Sequence, residues 1–252
     1  MHRFFPPRCG NGWQRRIVMW IALWMCGAVT CYAQTNGVIM HVDFVSATAK
    51  SKAPSTQAVA VAWLTPLGAS GASQPAPEKR IFRMVQKNKQ FDPHLMVVPV
   101  GSLVQFPNQD PFFHNVFSLY NGKRFDLGLY ETGSERGVRF DREGVSYIFC
   151  NIHPEMGAII LALPTPYYAV SMNHTIFIPH VPAGRYTLNV WSEGATVESL
   201  AAVRKQVTTD ANGTDLGSIV LVATPSPVAH HSNKFGEAYP PAKDSRPPGS
   251  QY

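Results

Sequence analysis

Short runs of apolar or alternating residues, separated by turn residues, recur along most of the chain. Residues 37–45 alternate well enough for a half-buried β-strand. Further strand-like runs occupy residues 58–64, 81–86, 95–100 and 103–106. No stretch shows a long helical period, so the pattern predicts an all-β fold.

The strand pattern changes character at Pro164-Thr165-Pro166. Proline cannot donate a ladder hydrogen bond, so this step is typical of the end of a sheet. Strand-like runs resume at residues 175–178, 185–191, 197–207 and 218–222. We therefore expect a first domain over residues 34–165 and a smaller second domain over residues 166–223.

Two stretches have compositions that do not favour a packed core. Residues 66–80 are rich in proline, serine, alanine and glycine, which predicts a mobile surface insertion in the first domain. Residues 224–252 are proline-rich and polar, which predicts a disordered tail.

The first 33 residues have the pattern of a signal peptide. Arg15-Arg16 precede an apolar run over residues 17–25, and Ala33 closes a site suited to cleavage. The arginine pair also fits a twin-arginine signal, and an uncleaved membrane anchor is the alternative. The pattern predicts export to the periplasm, with no stable membrane insertion after cleavage.

Removing this segment changes the charge and the thiol count. The formal net charge is +6, and loss of four arginines from 22 basic residues leaves 18 against 16 acidic residues. The basic character is therefore mostly a targeting feature, and it gives no argument for nucleic-acid binding. Cys150 becomes the sole cysteine of the mature chain, so an internal disulfide is excluded and a bound metal would explain the thiol.

The candidate chemistry is concentrated in the segment from Cys150 to Met156. It contains Cys150, His153 and Met156 between two apolar strand-like runs, so one loop can turn three ligand side chains towards one point. His114 is the candidate for a second imidazole. A set of one cysteine, two histidines and a weak axial methionine is the blue-copper arrangement. Zinc is the chemical competitor, with Glu155 as its possible ligand.

Residues 91–163 resemble the cupredoxins, and the C-x2-H-x2-M loop is most similar to that of amicyanin within the plastocyanin-like members. The resemblance implies a Greek-key β-sandwich holding one type 1 copper ion. It also implies that His114, Cys150 and His153 form the trigonal ligand set and that Met156 is axial. Asn115 matches a family asparagine that hydrogen-bonds near the ligand loop and orients the ligands.

A second resemblance concerns residues 181–186, which are similar to a turn and strand of carboxypeptidase-regulatory, transthyretin-like β-sandwiches. The complete arrangement resembles bacterial methylamine-utilisation or plastocyanin-like proteins that carry a second β domain. It implies a smaller transthyretin-like sandwich after the copper domain.

These features predict an exported electron carrier with transient redox protein partners. Pro111, Phe112, Ile152 and Pro154 are expected to form an apolar docking patch beside His153. An enzyme is disfavoured because the mature chain lacks the His-x-His pairs of multicopper oxidases and nitrite reductases. A copper carrier or an envelope binding module remains the alternative.

Overall fold

β-strands dominate the structure, and the all-β prediction is confirmed. The computed structural model describes residues 37–47, 58–68, 80–119, 122–225, 228 and 231–239, so the predicted signal peptide and most of the predicted insertion lie outside the described residues. The described elements are β1 (Gly37–Ser46), β2 (Ala60–Pro66), β3 (Ile81–Arg83), β4 (Val85–Lys87), β5 (Gln90–Asp92), β6 (Leu95–Pro99), β7 (Ser102–Pro107), β8 (His114–Ser118), β9 (Phe125–Tyr130), β10 (Glu135–Phe140), β11 (Gly144–Phe149), β12 (Gly157–Leu163), β13 (Tyr168–Val170), β14 (Thr175–Pro179), β15 (Gly184–Ser192), α1 (Val197–Val203), β16 (Lys205–Thr209) and β17 (Thr214–Ala223).

One sandwich consists of a three-stranded sheet, β10-β7-β3, facing a five-stranded sheet, β6-β12-β11-β8-β9. Alternate residues of the strands point into its core, as Val104 and Phe106 do from β7 and Phe140 does from β10. Burial of each such side chain stabilises the fold by about 1.5–3 kcal/mol. We call this the metal sandwich, because it contains all the predicted ligands.

The other sandwich consists of the sheets β14-β1-β17 and β13-β2-β15-β16. Its core is apolar, and Met40, Leu64 and Leu221 are fully buried there. The predicted boundaries are therefore wrong for the start of the chain, because β1 and β2 belong to this second sandwich. Their partners lie more than a hundred residues away, as in the pairing of β1 with β14 and of β2 with β15, and local pattern does not reveal such pairing.

β12 joins the two sandwiches because both of its faces are buried. Ala158 and Ile160 face the core of the metal sandwich, whereas Ile159 and Leu161 pack in a separate cluster with Trp191 of β15. The continuous apolar run of this strand is typical of a strand covered on both sides. The five-stranded sheet of the metal sandwich consequently rests on the second sandwich.

Two further predictions are corrected by the structure. Residues 197–207 do not form one strand: the first seven form α1, whose N-cap Thr196 accepts a hydrogen bond from the Ser199 N–H. Part of the predicted disordered tail, residues 231–239, is in contact with the metal sandwich, with bonds such as that between Tyr239 and Cys150. The described residues include no helix that is long and apolar enough to span a membrane.

Candidate metal centre

The predicted ligand loop connects β11 to β12, which pair antiparallel with Phe149 opposite Gly157. Two backbone hydrogen bonds shape the loop: the Cys150 N–H donates to the Met156 carbonyl at 3.2 Å, and the Met156 N–H donates to the His153 carbonyl at 3.1 Å. Cys150 and Met156 thus lie side by side at the two ends of the loop, and His153 lies between them in sequence.

His114 comes from β8, the strand next to β11 in the same sheet. All five residues of β8 are buried, so its first residue begins inside the sandwich rather than at its surface. Sheet pairing therefore brings His114 to Cys150 across a sequence separation of 36 residues.

The three donor atoms converge at one point. Cys150 Sγ lies 3.8 Å from His114 Nδ1 and 3.6 Å from His153 Nδ1, and the two Nδ1 atoms are 3.2 Å apart. Metal bonds of about 2.0–2.3 Å at angles of about 110–120° place neighbouring ligand atoms about 3.3–3.8 Å apart. Met156 is fully buried in the same core cluster as Cys150. The residues therefore fit a single metal ion.

Asp110 orients His114 from the side opposite the cluster. His114 Nε2 lies 2.8 Å from Asp110 Oδ2, and both groups are almost fully buried. The Asp110 carboxylate also accepts the backbone N–H groups of Asn88 and Lys89 at 2.6 and 2.9 Å. Donation from Nε2 to this carboxylate leaves the Nδ1 lone pair of His114 free to face the cluster.

The pKa of Asp110 also supports a proton on His114 Nε2 rather than on the carboxylate. Burial raises the Asp110 pKa, but hydrogen bonds from the Lys89 N–H, His114 and the Asn88 N–H outweigh burial and hold it below its usual value. Asp110 is therefore a carboxylate at neutral pH and can accept the His114 proton. The sequence analysis assigned no role to Asp110. The feature that could have indicated one is the position of this carboxylate four residues before His114.

Cys150 is completely buried, and burial raises the pKa of its thiol. Backbone hydrogen bonds from Asn115, Ile152 and His153 to the sulfur oppose this effect. These N–H groups are therefore placed to stabilise a thiolate whose charge a bound cation also balances. The buried sulfur is a ligand site protected from bulk water.

Asn115 contacts the loop through its backbone, because its side chain turns elsewhere. The side-chain amide donates to Asp126 Oδ1 in β9 at 2.7 Å. Its Oδ1 is buried without a hydrogen-bond partner among the described residues. The Asn115 backbone N–H, rather than its side chain, therefore lies against the Cys150 sulfur.

His153 lies on the open side of the cluster. It is partly exposed, and its ring centroid is 5.5 Å from that of Phe112. Phe112 and Ile152 are 36% and 43% exposed, and the prolines of the predicted patch are exposed too. Burial, followed by the proximity of His114, lowers the pKa of His153, which favours the neutral imidazole needed for metal binding.

The remaining histidines of the described chain lie outside the centre. His94 contacts the Gly157 carbonyl and the Glu193 carboxylate, and His174 contacts the Val42 carbonyl. Glu155, the possible zinc ligand, is exposed and is not part of the cluster. Within the described residues, His114, Cys150 and His153 form the one group of at least three such donors that could hold a metal ion.

No protein-family model and no curated protein matches this chain. Among solved structures, it is similar to the copper-containing nitrite reductase NirK from Thermus scotoductus SA-01, with 24% identity, a TM-score of 0.32 and coverage of 39% of this chain but only 25% of that chain. It is also similar to a purple cupredoxin from Nitrosopumilus maritimus, with 25% identity and a TM-score of 0.29 over 34% of this chain and 100% of that chain. A variant of amicyanin in its Cu(I) form has 16% identity and a TM-score of 0.31 over 40% of this chain and 98% of its own. The chain thus has partial structural neighbours among the cupredoxins.

Proposed function

We propose that this protein binds one copper ion and carries single electrons between redox proteins of the periplasm. The observation that carries the proposal is the convergence of Cys150 Sγ and two histidine Nδ1 atoms at 3.2–3.8 Å, beside the buried Met156. When bound, copper supplies a one-electron couple between Cu(I) and Cu(II). The chain supplies the ligands, their orientation and the exclusion of water.

The donor set favours copper over zinc. Thiolate and thioether ligands suit Cu(I), imidazole suits Cu(II), and the usual order of affinity places Cu(II) above Zn(II). Zinc prefers a fourth ligand that is harder than a thioether. The buried residue beside the cluster is Met156, whereas the carboxylate of Glu155 is exposed. Zinc therefore lacks, within the described cluster, the ligand that it would prefer.

The surroundings hold the ligands in one arrangement. His114 is fixed by the sheet and by Asp110, and the loop ends are fixed by the bonds between Cys150 and Met156. A framework that keeps its ligands in place limits rearrangement during electron gain and loss. Such preorganisation serves electron transfer better than a centre that must open to release its ion.

Electrons would pass through the partly exposed edge of His153. The surrounding apolar residues, Pro111, Phe112, Ile152 and Pro154, form a small exposed patch suited to short-lived contacts with a redox partner. Export of the chain to the periplasm through the first 33 residues belongs to the same proposal. Catalysis is not part of this proposal.

One experiment separates electron transfer from copper carriage. The copper-loaded protein is titrated with a reductant and then with an oxidant, and visible absorption and bound copper are followed together. An electron carrier is expected to lose and regain an intense band while retaining its copper. Release of copper during reduction, or uptake of Cu(I) alone, would favour the carrier function.

A further inference from the structure

Residues 231–239, which we call the C-terminal strap, lie against the ligand loop although they follow the last strand of the second sandwich. The His231 ring stacks on Phe149, the residue before Cys150, with centroids 4.1 Å apart and an interplanar angle of 15°. Just before the strap, Val228 is 6% exposed and packs in the cluster between the sandwiches. The strap therefore begins at a buried anchor beside β11.

Two hydrogen bonds continue this contact along the loop. The Tyr239 hydroxyl donates to the Cys150 carbonyl at 2.6 Å, and the Lys234 N–H donates to Asn151 Oδ1 at 2.9 Å. Three successive residues, Phe149, Cys150 and Asn151, are thus each contacted by the strap. Contacts to consecutive residues restrict the rotation of the peptide groups that aim the Cys150 sulfur.

An ion pair connects the strap to β9. Lys234 Nζ lies 2.7 Å from Asp126 Oδ2, and the other oxygen of this carboxylate accepts the Asn115 side-chain amide. Asn115 is also one of the residues whose N–H faces the Cys150 sulfur. The strap therefore reaches the sulfur environment from the loop and from β8.

Two local features, one in the ligand loop and one in the strap itself, allow the strap to pack against the loop. A Cβ on Gly157, at the end of the loop, would lie 2.2 Å from Val228 Cγ1, so a side chain there would displace the anchor. Within the strap, Asn233 Oδ1 accepts the N–H groups of Phe235 and Glu237 at 2.9 and 3.0 Å, which closes a turn. The strap is therefore a folded element that packs at a defined position on the ligand loop.

We propose that the strap positions the ligand loop and tunes the reduction potential of the centre, with Tyr239 as the main positioning residue. The inference rests on the proposed copper function. The Tyr239 O–H places the positive end of its dipole next to the Cys150 peptide, which disfavours the more positive Cu(II) state. Its hydrogen bond also fixes the carbonyl of the residue that supplies the thiolate.

Tyr239→Phe tests this inference because it removes the hydroxyl and keeps the ring. The matched control is Phe235→Leu, which changes a 71% exposed aromatic residue in the same strap. In the metal-free protein, amide hydrogen exchange over residues 150–152 is expected to be faster in Tyr239→Phe than in the control. In the copper-loaded protein, Tyr239→Phe is expected to favour Cu(II) about two- to five-fold, which lowers the potential by about 20–40 mV.

The two measurements distinguish failure of the strap from failure of the copper function. Equal exchange rates in Tyr239→Phe and Phe235→Leu would overturn the positioning role, whatever metal the wild type binds. Faster exchange in Tyr239→Phe with an unchanged potential would support positioning and overturn tuning. A wild-type protein without a reversible copper couple would overturn the proposed function, while the exchange experiment would still decide whether the strap holds the loop.

Discussion

His114 and His153 direct the same atom, Nδ1, to one centre from opposite surroundings. His114 is fully buried, pairs with Tyr130 in the sheet and is held by Asp110 at 2.8 Å. His153 lies in the loop, is partly exposed and borders the exposed ring of Phe112. The centre therefore has a fixed, buried side and an open side.

The difference assigns separate physical tasks to the two sides. In the proposed function, the buried side would set the geometry and charge, because its imidazole is oriented by a carboxylate and is fully buried. The open side would exchange electrons, since electron transfer requires a short distance to a partner.

The largest expected difference is that between His153→Gly and His114→Gly in the recovery of visible absorption when free imidazole is added. In His153→Gly, imidazole from solution can fill the vacated position, so the visible thiolate–copper band should return. In His114→Gly, the vacated position is enclosed, and the band should stay absent. Visible absorption during an imidazole titration measures both variants, and equal rescue would contradict the assignment of a buried and an open side.

A smaller effect is expected for Asp110→Asn. Loss of the carboxylate removes the group that orients His114 and a negative charge that favours Cu(II), so copper affinity should fall about 10–100-fold and the potential should rise. Competition with a copper chelator measures the affinity. Asp141→Asn is the control, because Asp141 is an exposed carboxylate paired with Lys123. Equal affinities of the two variants would show that Asp110 has no orienting role.

Met156→Leu should change copper affinity less than Asp110→Asn does. A methionine at long distance contributes a weak bond, and leucine fills a similar buried volume. The variant should keep its copper and its visible band, and its potential should rise because loss of a donor disfavours Cu(II) more than Cu(I). Copper content and a redox titration measure these effects. Complete loss of copper would show that Met156 is a principal ligand.

The smallest effect on the centre itself is expected from Ile152→Ser on the open side. It makes the patch polar without removing a ligand, so electron exchange between oxidised and reduced copies should slow while the potential stays nearly constant. Line broadening in NMR spectra of mixed oxidation states measures this exchange. Phe177→Ser, at a 40% exposed position of the second sandwich, is the control. Equal slowing in both variants would argue against a docking patch around His153.

Local spacing in the sequence pointed to most of the candidate donors. Cys150, His153 and Met156 fall within one loop, and His114 was the candidate for the second imidazole because of Asn115 beside it and the strand-like run before it. The role of Asp110 was not predicted, because it depends on the burial of a carboxylate against the ring of His114. Local spacing points to candidate ligands but does not reveal the groups that contact them from other parts of the fold.

Non-local pairing limited the prediction of the fold. The pattern of β1 and β2 shows that they are strands but not which sheet they join, and both pair with strands that follow residue 165. The strap was missed for a related reason. Its composition is that of a tail, and its order comes from contacts with residues about ninety positions earlier, such as that between Tyr239 and Cys150.

The central claim is that Cys150 supplies a thiolate to a single copper ion. Its most direct test is the visible absorption spectrum of the copper-loaded wild type beside that of Cys150→Ser, with copper content and folding measured for both. The wild type is expected to bind one copper ion and to show an intense thiolate-to-copper band that is absent from the folded Cys150→Ser variant. A wild type that binds copper without this band, or a variant that retains it, would contradict the claim.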